Sequence, residues 1–187
     1  MKERFLRKID LECSELRVKV IEVEAYQLDN KGRGDNIQHG LKKEVKLDGI
    51  KSCDYFLEKE NKIYLIEISD FFSQFELIKL TYQKIIDCNK LNRADRRLIN
   101  KHSPERILKA EIKNKYLNTL LILSYANLID GITQRSFILA LCNFEQEIVM
   151  IFDRLKREIK NDLKILVDEV EIIPAEALEQ YLKQINV

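Results

Sequence analysis

Two apolar segments on either side of a short polar turn constrain the fold of this chain most strongly. Residues 53–58 and 62–69 carry bulky apolar side chains at both odd and even positions, and Lys59-Glu60-Asn61 separates them. Both segments therefore predict β-strands that pair as a hairpin. A strand that is apolar on both faces is usually covered on both faces. We expect this hairpin at the centre of a layered domain with helices on either side.

The rest of the chain alternates between helical and β-rich spacing. We predict helices over 2–14, 71–88, 103–129 and 147–163, a last helix from Pro174, and further strands over 16–28, 137–142 and 167–173. Asp70 and Ser103 are typical helix caps, and Gly131 is typical of the residue that ends a helix. Four of the five glycines fall between positions 32 and 49, which predicts a long loop.

These elements predict an α/β (α+β) protein. The chain has 187 residues, of which 45% are hydrophobic, so we expect one domain over 1–187, with a core at about 2–142 and an α-β-α extension at 145–187. No apolar run reaches the roughly 18 residues of a membrane span, and no secretory signal follows Met1. The four cysteines show no paired spacing, which favours reduced thiols in a cytoplasmic protein.

One pair of acids carries the chemistry of the hairpin. If Glu60-Asn61 is a two-residue turn, paired positions sum to 121, and Asp54 lies opposite Glu67. Two like charges opposite each other destabilise a sheet, and burying unpaired carboxylates is costly. A divalent cation, Mg²⁺ or Mn²⁺, resolves the conflict because both prefer oxygen ligands. The alternative is that both acids lie at the end of the sheet, solvated or paired with Lys46 or Lys51.

The same residues resemble a known family. Cys-Asp54-Tyr-Phe-Leu, a tight hairpin, and then Tyr-Leu-Ile-Glu67-Ile-Ser69 are similar to the core of the PD-(D/E)XK nuclease superfamily over roughly residues 2–142. The resemblance implies a restriction-endonuclease-like three-layer core, with a central mixed sheet flanked by helices. It also implies a metal-dependent nuclease that hydrolyses DNA phosphodiester bonds in a restriction or anti-phage defence system. The metal ligands it implies are Asp54, Glu67, the Ile68 carbonyl and Glu12.

The chain departs from this family at one position. The lysine that orients or activates the attacking water falls at Ser69, and serine cannot supply a positive charge. Lys79 or Lys84 on the following helix is then the expected substitute. The alternative is a catalytically inactive subunit that keeps the fold and binds protein or nucleic acid. A third possibility is an immunity or adaptor protein with a similar layout.

Charge is distributed unevenly along the chain. Residues 90–115 contain nine basic and three acidic side chains, an excess of +6, whereas 145–187 has a balance of −4. The basic run favours contact with DNA or RNA phosphates, although a solvated face between helices explains it equally well. The candidate contacts are Arg93, Arg96, Arg97, Lys101, Lys42 and Lys43. The acidic region indicates a protein partner or a homodimer, or a plain soluble surface.

Several other functions lack support in the sequence. The chain has no Gly-x-Gly-x-x-Gly, no phosphate-binding loop ending in Gly-Lys-Ser/Thr and no Gly-x-Ser-x-Gly. His39 and His102 are isolated, which argues against zinc. Cys53 is expected on the strand face opposite Asp54, which argues against a thiol nucleophile there.

Overall fold

The computed structural model describes residues 2–11, 19–31, 38–87, 92–95, 99, 103–143 and 149–185. The strands are β1 (Leu6–Leu11), β2 (Lys19–Gln27), β3 (Tyr55–Lys59), β4 (Lys62–Ser69), β5 (Gln134–Leu141) and β6 (Glu169–Pro174). The helices are α1 (Leu41–Glu44), α2 (Phe71–Ile86), α3 (Pro104–Tyr125), α4 (Val149–Leu163) and α5 (Leu178–Gln184).

All six strands form one mixed sheet in which spatial order follows chain order. The first four strands form an antiparallel meander, and β4, β5 and β6 are parallel. Parallel neighbours need long crossover connections. Here α2 and α3 lie in the crossover between β4 and β5, and α4 lies in the one between β5 and β6. The predicted α/β class, a mixed sheet flanked by helices, is confirmed.

The sheet separates two hydrophobic layers. Side chains packed with α2, α3 and α4 include Phe71, Tyr116 and Phe152. Side chains packed with α5 on the opposite face include Ile21, Tyr55 and Leu182. Strand β4 contributes to both layers and is buried along almost its whole length. The prediction of a central hairpin covered on both faces is therefore confirmed.

The predicted helix over 2–14 is wrong for residues 2–11, the part of it that the structure describes. A 3₁₀ turn over Lys2–Phe5 leads directly into β1, which pairs with β2. The register shifts between Lys8 and Asp10, as at a β-bulge. A bulge interrupts the two-residue alternation that identifies a strand, so the apolar spacing resembles that of a helix.

The predicted loop at 32–49 contains regular structure within 38–49, the part of it that the structure describes. Lys31 and Gln38 form an isolated antiparallel bridge, and α1 follows. The Gly40 backbone lies close to Leu28, the residue that follows β2. A Cβ atom at Gly40 would lie 2.2 Å from the Leu28 carbonyl oxygen. Glycine at this position therefore permits a close backbone approach rather than marking an irregular loop.

Two further predictions need correction. Helix α3 ends at Tyr125 rather than near Gly131, and Asn127 takes the left-handed conformation after it, with φ 54°. Asparagine tolerates this conformation because its short polar side chain bonds locally. Cys142 takes part in a disulfide bond, so the prediction of reduced thiols is wrong for it, whereas Cys53 is a free, buried thiol.

Candidate functional site

The hairpin has the predicted register. Lys59 pairs with Lys62 across the Glu60-Asn61 turn, and Tyr55 pairs with Ile66. Asp54 immediately precedes β3, and its N–H donates at 3.0 Å to the carbonyl of Ile66, the residue that already pairs with Tyr55, so the regular pairing ends at Tyr55 and does not extend to Asp54 and Glu67. Glu60 has φ 55°, a left-handed value that a two-residue hairpin turn requires.

Glu67 contacts α3 through Lys115, and Asp54, just before β3, contacts Lys31. Glu67 is 2% exposed and Asp54 is 9% exposed, so both carboxylates are buried. The Ile68 N–H donates to Asp54 Oδ2 at 2.8 Å. Because the N–H and C=O of a strand residue point to the same side, the Ile68 carbonyl faces the same edge of β4.

Two lysines contact these acids. Lys31 Nζ lies 2.7 Å from Asp54 Oδ1, and Lys115 Nζ donates to Glu67 Oε1. Lys31 comes from the bridge before α1, and Lys115 comes from α3, so two distant segments converge on the hairpin. Both ammonium groups are largely buried. The site is thus a cluster of two acids and two bases, which we call the acid–lysine cluster.

The second oxygen of Glu67 has no such partner. Oε2 is buried and accepts no hydrogen bond from the described residues. Burial, followed by the negative charge of Asp54, raises the pKa of Glu67 to about 8, although Lys115 and Lys31 partly oppose the change. A buried oxygen of this kind favours a proton or a cation beside it.

The two lysines remain charged. Burial is the largest influence on each and lowers its pKa, but attraction to the carboxylates outweighs burial and leaves both pKa values raised. For Lys31 the main attraction is Asp54, and for Lys115 it is Glu67. The cluster therefore contains fixed positive charge at neutral pH.

Helix α3 is fastened to the hairpin beside the cluster. The Cys53 N–H donates to Thr119 Oγ1 at 2.8 Å, and the Thr119 hydroxyl donates to the Lys115 carbonyl at 2.8 Å. Cys53 packs in the layer beneath α3, so its expected placement on the opposite face is wrong, because β3 begins only at Tyr55. Burial raises the pKa of its thiol well above the usual value, which makes it a poor nucleophile.

The predicted substitutes for the missing lysine lie elsewhere. Lys79 and Lys84 are exposed on α2, and Lys79 bonds Glu76 at 3.1 Å. Ser69 ends β4, where its carbonyl accepts the Cys142 N–H. Lys115 was not predicted, although it borders the buried stripe of α3, an unusual place for a lysine. No sequence signal singles out Lys31. Glu12 lies outside the described residues.

The predicted nucleic-acid contacts are largely engaged within the chain or fall outside the described residues. Lys42 is buried and pairs with Asp29, so it is not available to phosphate, and Lys43 lies 3.0 Å from His39 Nε2. Arg93 is exposed. Arg96, Arg97 and Lys101 lie outside the described residues.

The basic and acidic regions meet at the α3–α4 contact. Lys109 lies 3.0 Å from Glu158, and Lys113 lies 3.1 Å from Asp162. These pairs account for part of the positive excess at 90–115 and part of the negative excess at 145–187. At these positions, the charges therefore lie on a face between two helices, as the alternative to nucleic-acid contact predicts. The expected pairing of Asp54 or Glu67 with Lys51 is wrong, because Lys51 pairs with Glu111.

The described residues contain neither a preformed group of metal ligands nor a membrane-spanning helix. There, no three His, Cys, Asp or Glu side chains cluster closely enough to hold a metal ion. None of the helices there has the length and apolarity to cross a bilayer. Comparison with protein-family models, curated proteins and solved structures gives no match to this chain. Its function is therefore inferred from the acid–lysine cluster itself.

Proposed function

We propose that the chain is a metal-dependent nuclease-like domain that hydrolyses phosphodiester bonds of DNA. The observation that carries the proposal is the buried Asp54–Glu67 pair at the end of a central hairpin, with Glu67 Oε2 lacking a partner among the described residues. The similarity of this pair and its flanking elements to the PD-(D/E)XK pattern supports the substrate class. A role in restriction or anti-phage defence rests on that similarity alone.

The oxygen atoms at the site suit Mg²⁺ or Mn²⁺. Glu67 Oε2, the Asp54 carboxylate and the Ile68 carbonyl are hard ligands, and the orphaned Oε2 is an observation that a cation explains. Such an ion, when bound, polarises a phosphoryl oxygen and lowers the pKa of a bound water.

Lys115 supplies the positive charge that Ser69 lacks. It holds Glu67 through Oε1 and leaves Oε2 available, and its charge is fixed beside the acids. A fixed positive charge in a dry site stabilises negative charge that develops on a phosphate group during attack. Under this proposal, Lys115 replaces Lys79 and Lys84 as the substitute lysine.

Calorimetric titration with Mn²⁺ at low salt tests the proposal directly. Wild type and Glu76→Gln, which loses a half-buried carboxylate of α2 that pairs with Lys79, are expected to bind with equal affinity. Glu67→Gln and Asp54→Asn are expected to lose binding, together with cleavage of double-stranded and single-stranded DNA. RNA substrates run in parallel establish which nucleic acid is preferred. Equal binding and cleavage by all four proteins would refute the assignment.

A non-catalytic subunit is the second candidate. The observation that favours it is the pairing of each acid with a lysine, since two acids and two lysines together attract a cation only weakly. This candidate predicts no metal binding by wild type. It also predicts that charge reversal at Arg96 and Arg97 weakens binding to nucleic acid, whereas Asp54→Asn leaves that binding unchanged.

The proposed location is the cytoplasm, where a nuclease of this kind would meet foreign DNA. The disulfide at Cys142 argues the other way, because disulfides are rare in reducing compartments. Thiol alkylation in denaturant immediately on cell lysis distinguishes the two: a Cys142 that is alkylated only after reduction would contradict a cytoplasmic location.

A further inference from the structure

Lys31 is held in place by an isolated backbone bridge to Gln38, and we call this bridged pair the strap. Lys31 and Gln38 exchange backbone hydrogen bonds of 2.9 and 2.7 Å, and Gln27 Nε2 donates to the carbonyls of Asp29 and Gln38. Lys42 then pairs with Asp29 from α1. This strap sets the position from which the Lys31 side chain reaches the hairpin.

The Lys31 ammonium group contacts Asp54, one of the two carboxylates that we propose bind the cation. Its Nζ lies 2.7 Å from Asp54 Oδ1 and 5.7 Å from the centre of the Tyr55 ring. The other Asp54 oxygen, Oδ2, already accepts the Ile68 N–H. Both oxygens of Asp54 are thus engaged. A cation that uses Oδ1 must share it with an ammonium group of the same sign.

Lys31 and Lys115 differ in whether they leave a carboxylate oxygen free for a cation. Lys115 occupies one oxygen of Glu67 and leaves Oε2 without a partner, so its position is compatible with a cation bound at Oε2. Lys31 leaves no comparable free oxygen on Asp54. Two like charges at contact distance in a poorly solvated site repel each other strongly.

We propose that Lys31 is a built-in competitor of the divalent cation, which occupies Asp54 Oδ1 in the metal-free protein and must leave it before the ion binds. This inference rests on the proposed metal site and adds a regulatory contact to it. The strap that carries Lys31 thereby couples the metal affinity of the site to its own conformation. Any factor that moves the strap away from Asp54 raises that affinity.

The test compares Mn²⁺ binding by calorimetry in wild type, Lys31→Met, Lys31→Arg and Lys115→Met. Lys31→Met is expected to bind about 10-fold or more tightly than wild type, because the competing charge is gone. Lys31→Arg keeps the charge and is expected to bind no more tightly than wild type. Lys115→Met controls for the general loss of one positive charge and is expected to gain clearly less.

Thermal unfolding without metal shows that the variants are folded and provides a second readout. Lys31→Met is expected to unfold at a lower temperature than wild type, because Asp54 loses its counter-ion. Added Mn²⁺ is expected to raise its unfolding temperature more than that of wild type. Lys31→Arg retains the charge and stays informative even where Lys31→Met fails to fold.

The outcomes separate this inference from the proposed function. Wild type that binds Mn²⁺ while Lys31→Met gains nothing, or gains only as much as Lys115→Met, overturns the competitor role and leaves the metal site standing. Binding by Lys31→Met but not by wild type supports the competitor in its strongest form. No binding by any variant overturns both, because Lys31 then has no ion to exclude.

Discussion

Glu67 makes the stability of this protein depend on pH in a direction opposite to that of most carboxylates. Its pKa rises from 4.5 in the unfolded chain to about 8 in the folded one, through burial and the nearby charge of Asp54. The folded state therefore binds a proton more tightly than the unfolded state. The stability that this proton contributes is fully present below pH 4.5 and is lost as pH rises through about 8.

The magnitude follows from the size of this change. Each pH unit over which only the folded state is protonated corresponds to about 1.4 kcal/mol, so the whole interval gives at most about 5 kcal/mol. Glu67→Gln removes the titrating group and keeps the shape of the side chain. The free energy of unfolding of Glu67→Gln minus that of wild type is therefore expected to increase with pH, by up to about 1.4 kcal/mol per unit between pH 5 and 8.

Urea unfolding in a chelating buffer at half-unit steps of pH measures this difference. The chelator matters because a bound cation would displace the proton and cancel the effect. Glu76→Gln, which removes a half-buried carboxylate from α2, controls for the loss of one negative charge outside the cluster. A difference between Glu67→Gln and wild type that stays constant from pH 5 to 8 would show that Glu67 is ionised throughout, and the reasoning would fail.

Two packing predictions test the elements that position the cluster. Gly40→Ala places a Cβ 2.2 Å from the Leu28 carbonyl oxygen and should destabilise the protein by about 3 kcal/mol or more, whereas Gly49→Ala, with open space around it, should be nearly neutral; similar unfolding midpoints for the two would contradict the close approach. Thr119→Val leaves the buried Cys53 N–H without its acceptor and should cost about 1–3 kcal/mol in urea unfolding, with Thr119→Ser retaining most of the stability. Equal loss in the valine and serine variants would mean that the hydroxyl is not what matters.

The hairpin could be predicted from sequence because its information is local. A two-residue turn fixes the pairing from Lys59–Lys62 to Tyr55–Ile66, which counting predicts, whereas the predicted Asp54–Glu67 pair lies one step beyond the point where the regular pairing ends. The helix cap at Asp70, which accepts the Ser73 N–H, is local in the same sense. Features that depend on a few neighbouring residues were predicted correctly in both cases.

The lysines of the cluster depend on long-range packing instead. Lys115 is 48 residues from Glu67 in the chain, and its approach depends on how α3 lies on the sheet. The position of Lys31 depends on its bridge to Gln38, which in turn depends on the close backbone approach at Gly40. Lys79 was a reasonable substitute by proximity along the chain, but α2 presents it to solvent. Sequence spacing identified the acids, and tertiary packing selected their counter-ions.

The charge of the cluster also limits which substrate it can accept. With both acids ionised, Asp54 and Glu67 balance Lys31 and Lys115, and the four side chains sum to zero. Under the proposed function, a divalent cation brings the same site to +2 while Lys31 stays nearby, and to +1 once Lys31 has moved away. A poorly solvated site with that charge favours an anionic ligand and disfavours a neutral one. A phosphodiester provides the compensating negative charge at the reacting group itself, whereas a peptide or glycosidic bond does not. Cation binding, which displaces the proton from Glu67, therefore leaves the cluster with a net positive charge that favours a phosphate substrate.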